Sequence, residues 1–295
     1  MKKKTVFSGV GTALVTPFSD YEIDYTSLGR LIDAQIDSGV DALVIGGTTG
    51  EAATLSDEER YRLFAFSAAK VAGRCKLVLG TGTNDTKAAV RHTKYAERVG
   101  CDGVLLVTPY YNKGTELGVE KHYLNIAEST NLPTILYNVP SRTGVNLGIN
   151  LVSRLAEHEN IVAIKEASDS ADRLVSLAVL GDKIDLYAGN DSQIYTTLSL
   201  GGKGVISVVS NIFPAATKKI CQSFFDGKPR DSLDMQIQLL PLIRSLFAET
   251  NPAPVKYAMS LLGLCSDELR LPLCEVREST KKLVSEELEK LRQLL

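Results

Sequence analysis

Eight short apolar runs punctuate the first two-thirds of this 295-residue chain, and their spacing constrains the fold more than any other feature. They occupy residues 9–16, 41–46, 76–80, 103–108, 134–139, 161–166, 184–189 and 204–210, each bounded by Gly, Thr, Pro or Asn. Their starts lie roughly 20 to 35 residues apart, the length of one strand, one loop and one helix. The segments between them carry helix signals. Ser56-Asp57-Glu58-Glu59 predicts a capping box, with Ser56 as N-cap and Glu59 at N3, ahead of Tyr61, Leu63 and Phe64. Asn84 or Asp85 is placed to cap the next helix. Eight strand-then-helix units with no hairpin signal between them predict a parallel (β/α)8 barrel.

After the eighth run the pattern is helix alone. Residues 214–225, 231–249, 254–264 and 279–294 read as helices, separated by breaks at Gly227-Lys228-Pro229, Asn251-Pro252 and Leu271-Pro272-Leu273. The first of these serves as the barrel's eighth helix. The expected fold class is therefore α/β, a (β/α)8 TIM barrel over residues 1–226 with a C-terminal helical appendage over 227–295.

Charge and composition exclude several classes of function. A formal net charge of −2 with 23% charged residues gives no basic surface for nucleic acid, so no nucleic-acid partner is expected. No stretch approaches about 18 unbroken apolar residues, and no membrane span is expected. The Lys2–Lys4 run leads into residues 6–10 without a long apolar core or a small-residue cleavage pattern, unlike a signal peptide. Five scattered cysteines, odd in number and without CxxC spacing, point to reduced thiols and a cytoplasmic setting. The three histidines fall in polar, helix-like stretches with no paired-ligand pattern, so no metal is expected.

Within the barrel, chemistry belongs at the carboxyl ends of the strands. The sixth run ends Ile164-Lys165-Glu166, an odd place for a strongly hydrated charge. Such a lysine snorkels to water or, desolvated, presents a neutral amine that attacks a carbonyl to form a Schiff base. Period-two alternation places Ile161 and Ala163 on the same inward face as Lys165, and Tyr137 with Ile135 on the adjacent strand. That predicts the Tyr137 hydroxyl within hydrogen-bond reach of the amine. Gly46-Gly47-Thr48-Thr49-Gly50-Glu51 lacks the spacing and the Lys of a P-loop. It suits a carboxylate, with Thr49 and backbone N–H groups holding it while Thr48 passes protons between tyrosines. Arg142 follows in a loop at the same mouth, as the natural bidentate partner of a second carboxylate. Thr108-Pro109-Tyr110-Tyr111 is expected to converge there too.

Together GGTTGE, VTPYYN, YNVPSRTG, IKEAS, GND and GVISV, in this order and from about Phe7 through the C-terminal helices, resemble the pyruvate-dependent class I lyase family of (β/α)8 barrels. The resemblance implies that Lys165 forms the Schiff base with pyruvate and that Tyr137, Thr48 and Tyr111 relay protons. Tyr111 would come from the neighbouring subunit of a tight dimer. Thr49 would bind the pyruvate carboxylate, Arg142 the carboxylate of the second substrate, and Gly189 and Ile206 would line the pocket through backbone groups. The branch it is most similar to condenses pyruvate with L-aspartate 4-semialdehyde, without a cofactor because the lysine itself provides the electron sink. Homotetramers built as dimers of dimers are implied, though some members are dimers.

N-acetylneuraminate lyase and the 2-keto-3-deoxy sugar acid aldolases share the Lys, the Tyr and a similar Gly-rich loop. Arg142 and the paired Tyr110-Tyr111 favour the dicarboxylate-forming branch. A catalytically silent, pyruvate-sensing barrel is the reading from a different class, and the joint presence of Lys165, Tyr137, Thr48 and Tyr111 argues against it. Asn84 and Tyr110 fit the allosteric lysine site of feedback-inhibited members, where His and Glu often stand at the positions of Arg60 and Ala88. Losing the Glu and gaining an Arg predicts weak or absent inhibition by lysine.

Overall fold

The apolar runs become strands because each is covered on both faces. The computed structural model describes residues 3–294, so Met1, Leu295 and, from the basic run, Lys2 lie outside the described residues. In chain order the strands are β1 (Gly9–Ala13), β2 (Phe18–Ser19), β3 (Glu22–Ile23), β4 (Ala42–Ile45), β5 (Lys76–Gly80), β6 (Gly103–Val107), β7 (Thr134–Asn138), β8 (Ile161–Glu166), β9 (Asp185–Ala188) and β10 (Gly204–Ser207). Eight of them close into one barrel in the order β1-β10-β9-β8-β7-β6-β5-β4, every neighbour parallel. All eight expected strands are present. The apolar run at 204–210 ends earlier as a strand, and its last residues turn into the 3-10 segment Val209–Asn211.

Two apolar clusters divide the strand faces. Ala13, Val44, Val78, Leu105, Ile135, Ala163 and Ile206 fill the barrel interior, and Leu43, Leu79, Leu106, Leu136 and Ile164 face the surrounding helices. The amino-terminal end of the interior is plugged by Phe7, stacked on Tyr187 with ring centroids 4.5 Å apart. The Tyr187 hydroxyl donates to Phe7 O at 2.5 Å. A floor at that end leaves the carboxyl ends of the strands as the open face. On β8 the expected alternation fails in one place. The pairing with β7 steps from Thr134↔Ile161 to Ile135↔Ala163, a bulge that passes over Val162. Ile161 therefore packs in the outer cluster and Val162 in the inner one, while Ala163 points inward as expected.

The helix starts follow from side-chain chemistry. Ser56 Oγ accepts from Glu59 N and the Glu59 carboxylate accepts from Ser56 N, which completes the capping box of helix Asp57–Val71. Asp85, not Asn84, caps Thr86–Val99. Two histidines expected in polar stretches are buried: His92 bonds Asp57 and His122 bonds Thr86, each at 2.9 Å. Among the described residues no group of three His, Cys, Asp or Glu side chains is placed to hold a metal, and no helix is long and apolar enough to cross a membrane.

The β2–β3 hairpin was not signalled by its turn residues. Asp20 and Tyr21 adopt positive φ, where Asn-Gly is the usual choice. Tertiary contacts hold them instead: the Glu268 carboxylate accepts from Asp20 N and Tyr21 N at 3.1 and 2.6 Å, and Arg270 Nε donates to Tyr21 O at 2.9 Å. The C-terminal helices run Pro229–Ser245, Ala253–Leu261 and Glu278–Lys290. Pro229 is the first residue of its helix rather than part of a break, since the missing N–H costs nothing there. Leu239, Leu242, Val255, Met259 and Val284 join the same apolar cluster as the barrel's outer shell.

Candidate active site

Lys165 is only 5% exposed and stands at the carboxyl end of β8, in register with Tyr137 at the end of β7. Its Nζ rests over the Tyr137 ring, 4.3 Å from the centroid. No hydrogen bond joins that amine to the Tyr137 hydroxyl, which differs from the expected contact. With the two residues in register, the amine meets the face of the ring.

The residues following these two lock the strand ends together on the opposite face. Asn138 Nδ2 donates to both oxygens of the buried Glu166 carboxylate, at 2.9 and 3.0 Å, and Arg173 Nε pairs with Glu166 at 2.7 Å. Behind Tyr137, Thr108 Oγ1 donates to its carbonyl at 2.9 Å and receives the Tyr123 hydroxyl at 3.1 Å. Arg173 Nη2 is left without a partner in this network, while the Glu166 carboxylate accepts from both neighbours.

Thr48 and Thr49 follow β4 in a tight turn. Gly46 has φ +67, and a Cβ on Gly80 would lie 2.2 Å from Gly46 O, so glycine at both positions allows the loop to close over the end of β5. The N–H groups of Gly50, Glu51 and Ala52 bond back to Gly47 O and Thr48 O. Those of Thr48 and Thr49 have no backbone partner among the described residues. Two free N–H groups beside two hydroxyls make a donor set suited to a carboxylate.

A cleft of about 290 Å³ opens over Lys165 and is lined by Thr48, Thr49, Tyr137, Arg142 and Gly189. Ile206 is fully buried inside the barrel and its side chain is not part of the cleft wall; Val208, two residues on, is. Tyr111 is also absent from the wall. It is 88% exposed with φ +69 and does not line this chain's own cleft. Tyr110 is half-buried nearby, and Asn84 O accepts from Asn112 Nδ2 at 3.0 Å. Arg60 is 8% exposed and turned inward, donating to Ala52 O at 2.7 Å and Gly80 O at 3.4 Å. Burial draws its pKa below the ordinary arginine value.

Several wall residues were not singled out from sequence. Ile243, Arg244 and Phe247 reach the cleft from the end of helix Pro229–Ser245 and the turn after it. Asn251 bonds two site residues at once: its Nδ2 donates to Thr49 Oγ1 at 2.9 Å, and its carbonyl accepts from Arg142 Nη2 at 2.9 Å. Only the Asn251-Pro252 dipeptide marked this position, and it signalled a chain break. Asp191 is buried on the wall, its carboxylate taking N–H groups from Val208 and Val209 at 3.0 and 2.9 Å. Burial pushes its carboxyl up from the ordinary value, against these donors and the nearby Lys165 charge.

An amine buried at a strand end, hydroxyls beside it, backbone N–H groups without a backbone partner and a guanidinium at the rim are the groups that imine chemistry on a keto acid requires. The chain is similar to proteins of one family. The model of the dihydrodipicolinate synthetase family matches residues 6–291. A 4-hydroxy-tetrahydrodipicolinate synthase of Clostridium novyi (strain NT) is 46% identical over 286 residues, covering 97% of each chain. The crystal structure of a dihydrodipicolinate synthase from Thermotoga maritima superposes with a TM-score of 0.96 at 41% identity, over 99% of this chain and 100% of that one. One from Cyanidioschyzon merolae with lysine bound gives 0.95 at 37% identity, over 99% and 100%.

Proposed function

The chain belongs to the dihydrodipicolinate synthetase family, and on that premise we propose that it is a lyase of the 4-hydroxy-tetrahydrodipicolinate synthase type. It condenses pyruvate with L-aspartate 4-semialdehyde, the committed step toward diaminopimelate and lysine. The observation that carries the reading is Lys165 itself, a buried amine facing Tyr137 in the same cleft as Thr48 and Thr49.

Once Lys165 has given up its ammonium proton, its amine adds to the pyruvate carbonyl, and the carbinolamine loses water to give an iminium. The iminium is an electron sink, so a methyl proton leaves and an enamine forms. Its carbon attacks the aldehyde, whose oxygen takes up a proton to become the hydroxyl. The amino group of the second substrate then attacks the iminium carbon and expels Lys165, closing the ring. Thr49 and the free N–H groups of its turn hold the pyruvate carboxylate, and Arg142 guides the carboxylate of the aldehyde. Tyr137, Thr48 and Tyr111 carry the protons, with Gly189 and the backbone at Ile206 shaping the pocket.

An exposed Tyr111 outside its own cleft supports donation from a second copy, in a homo-oligomer assembled as a tetramer, a dimer of dimers. Residues 1–226 act as the catalytic barrel and 227–295 as a region that packs beside its mouth. Five unpaired cysteines fit a cytoplasmic setting.

The test is pyruvate consumption with aspartate semialdehyde, N-acetylmannosamine and glyceraldehyde side by side, with Lys165→Ala as control. Turnover with aspartate semialdehyde alone is the expected result. Turnover with a sugar aldehyde would place the chain in another branch.

A further inference from the structure

We propose that Asn251 is a positioning residue for this reaction, acting through Thr49 to aim its hydroxyl at the carboxylate of the keto acid. The inference rests on the reading of the site given above and adds a residue from outside the barrel. Asn251 lies 202 residues from Thr49 in sequence and is 4% exposed, yet its side-chain amide bonds Thr49 Oγ1 in the cleft wall.

The direction of that hydrogen bond carries the chemistry. An amide N–H only donates, so Thr49 Oγ1 must accept, and its own proton is released toward another acceptor. Joined to the N–H groups of Thr48 and Thr49, which have no backbone partner, the hydroxyl would complete a donor set for one anion. Without the amide, the hydroxyl has no neighbour that fixes its rotation in this sense.

Stability does not account for the residue. Asn251 Oδ1 is buried and has no protein partner, so the side chain leaves one polar atom unpaired for the single hydrogen bond it makes. A smaller or apolar side chain would avoid that cost. A buried amide with an unpaired oxygen calls for a reason beyond packing, and the Thr49 contact supplies one. The two substrates are also addressed separately. The side chain reaches Thr49, whereas Arg142 is held by the main-chain carbonyl, which substitution leaves in place.

The experiment is borohydride trapping of the pyruvate adduct as a function of pyruvate concentration, in the absence of the second substrate, alongside steady-state rates. Asn251→Ala is expected to raise the pyruvate half-saturation about tenfold, the worth of one hydrogen bond to a charged group. Its KM for the aldehyde should stay within about twofold. Asn251→Asp should be worse than alanine, because a carboxylate accepts the Thr49 proton and repels the substrate. In the double variant Thr49→Val/Asn251→Ala the loss should equal that of Thr49→Val alone. Asn251→Ser carries the same expectation if the alanine variant is not recovered folded. An unmoved half-saturation, or losses that add in full, would overturn the proposal while leaving the Schiff-base reading intact. Wild-type protein that traps no adduct would overturn that reading and the proposal with it.

Discussion

Lys256 Nζ lies 2.6 Å from Glu51 Oε1, and neither side chain is exposed. Glu51 lies two residues after Thr49, and Lys256 sits in helix Ala253–Leu261, five residues after Asn251. The remaining groups are satisfied: Glu51 Oε2 accepts from Arg270 N at 3.1 Å, Lys256 Nζ also donates to Glu268 O at 2.7 Å, and its charge faces the Phe18 ring at 4.2 Å. Burial still draws the Lys256 ammonium below the ordinary lysine range. The C-terminal region thus grips the Thr48–Glu51 segment at three points, through Asn251, this ion pair and Arg270 N.

Removing one charge from that pair strands the other. Lys256→Met should destabilise the protein by about 3–5 kcal/mol, and Lys256→Met/Glu51→Gln by clearly less, because the uncompensated carboxylate is gone. Urea unfolding of the two variants checks this. Equal losses would show that the cost lies in packing.

Acid should weaken the fold in two windows. His122 is held neutral by burial, its pKa falling from 6.5 to about 4, so the unfolded chain binds the proton first and stability drops as pH falls from 6.5 through 4. Glu59 is lowered from 4.5 to about 2, chiefly by its hydrogen bond from Arg270, so its contribution is present above 4.5 and disappears as pH falls toward 2. Melting temperature against pH should show a shallower upper window in His122→Asn, where buried His92 still contributes, and a shallower lower one in Glu59→Gln, where other lowered carboxylates such as Asp57 remain. Unchanged profiles would contradict both assignments.

Tyr111 offers a test by mixing. If a neighbouring copy donates it, a hybrid of Lys165→Ala and Tyr111→Phe chains contains one site with both native groups. Two poorly active variants, unfolded and reassembled together, should then regain part of the wild-type activity. No regain would mean that each chain uses its own Tyr111.

Much of this was legible in sequence for a physical reason. A strand covered on both faces must be apolar throughout, so the eight runs announced themselves, and a capping box is a local code readable at Ser56 and Glu59. Lys165 stood out because a charge closed one of those runs. What escaped depends on distant contacts. The Asp20-Tyr21 turn takes its conformation from Glu268 and Arg270, and the bulge at Val162 is set by the pairing of β7 with β8. Asn251 and Arg244 reach the cleft only after the appendage folds back over the barrel. No window of neighbouring residues contains that information.

Feedback control by L-lysine should be weak. Arg60 is buried on the carbonyls of Ala52 and Gly80 near Tyr110, so a lysine bound beside Tyr110 would meet a positive charge there and find no anion at Ala88. Initial rates should be little changed by millimolar L-lysine. Ala88→Glu with Arg60→His should increase sensitivity, and submillimolar inhibition of the native protein would contradict the reading.

The most direct test of the central claim is to incubate the protein with pyruvate, reduce with borohydride, and map the modified peptide by mass spectrometry. The account requires a reduced pyruvate adduct on Lys165, absent from Lys165→Ala. An adduct on another lysine, or none in a protein that still turns over both substrates, would contradict it.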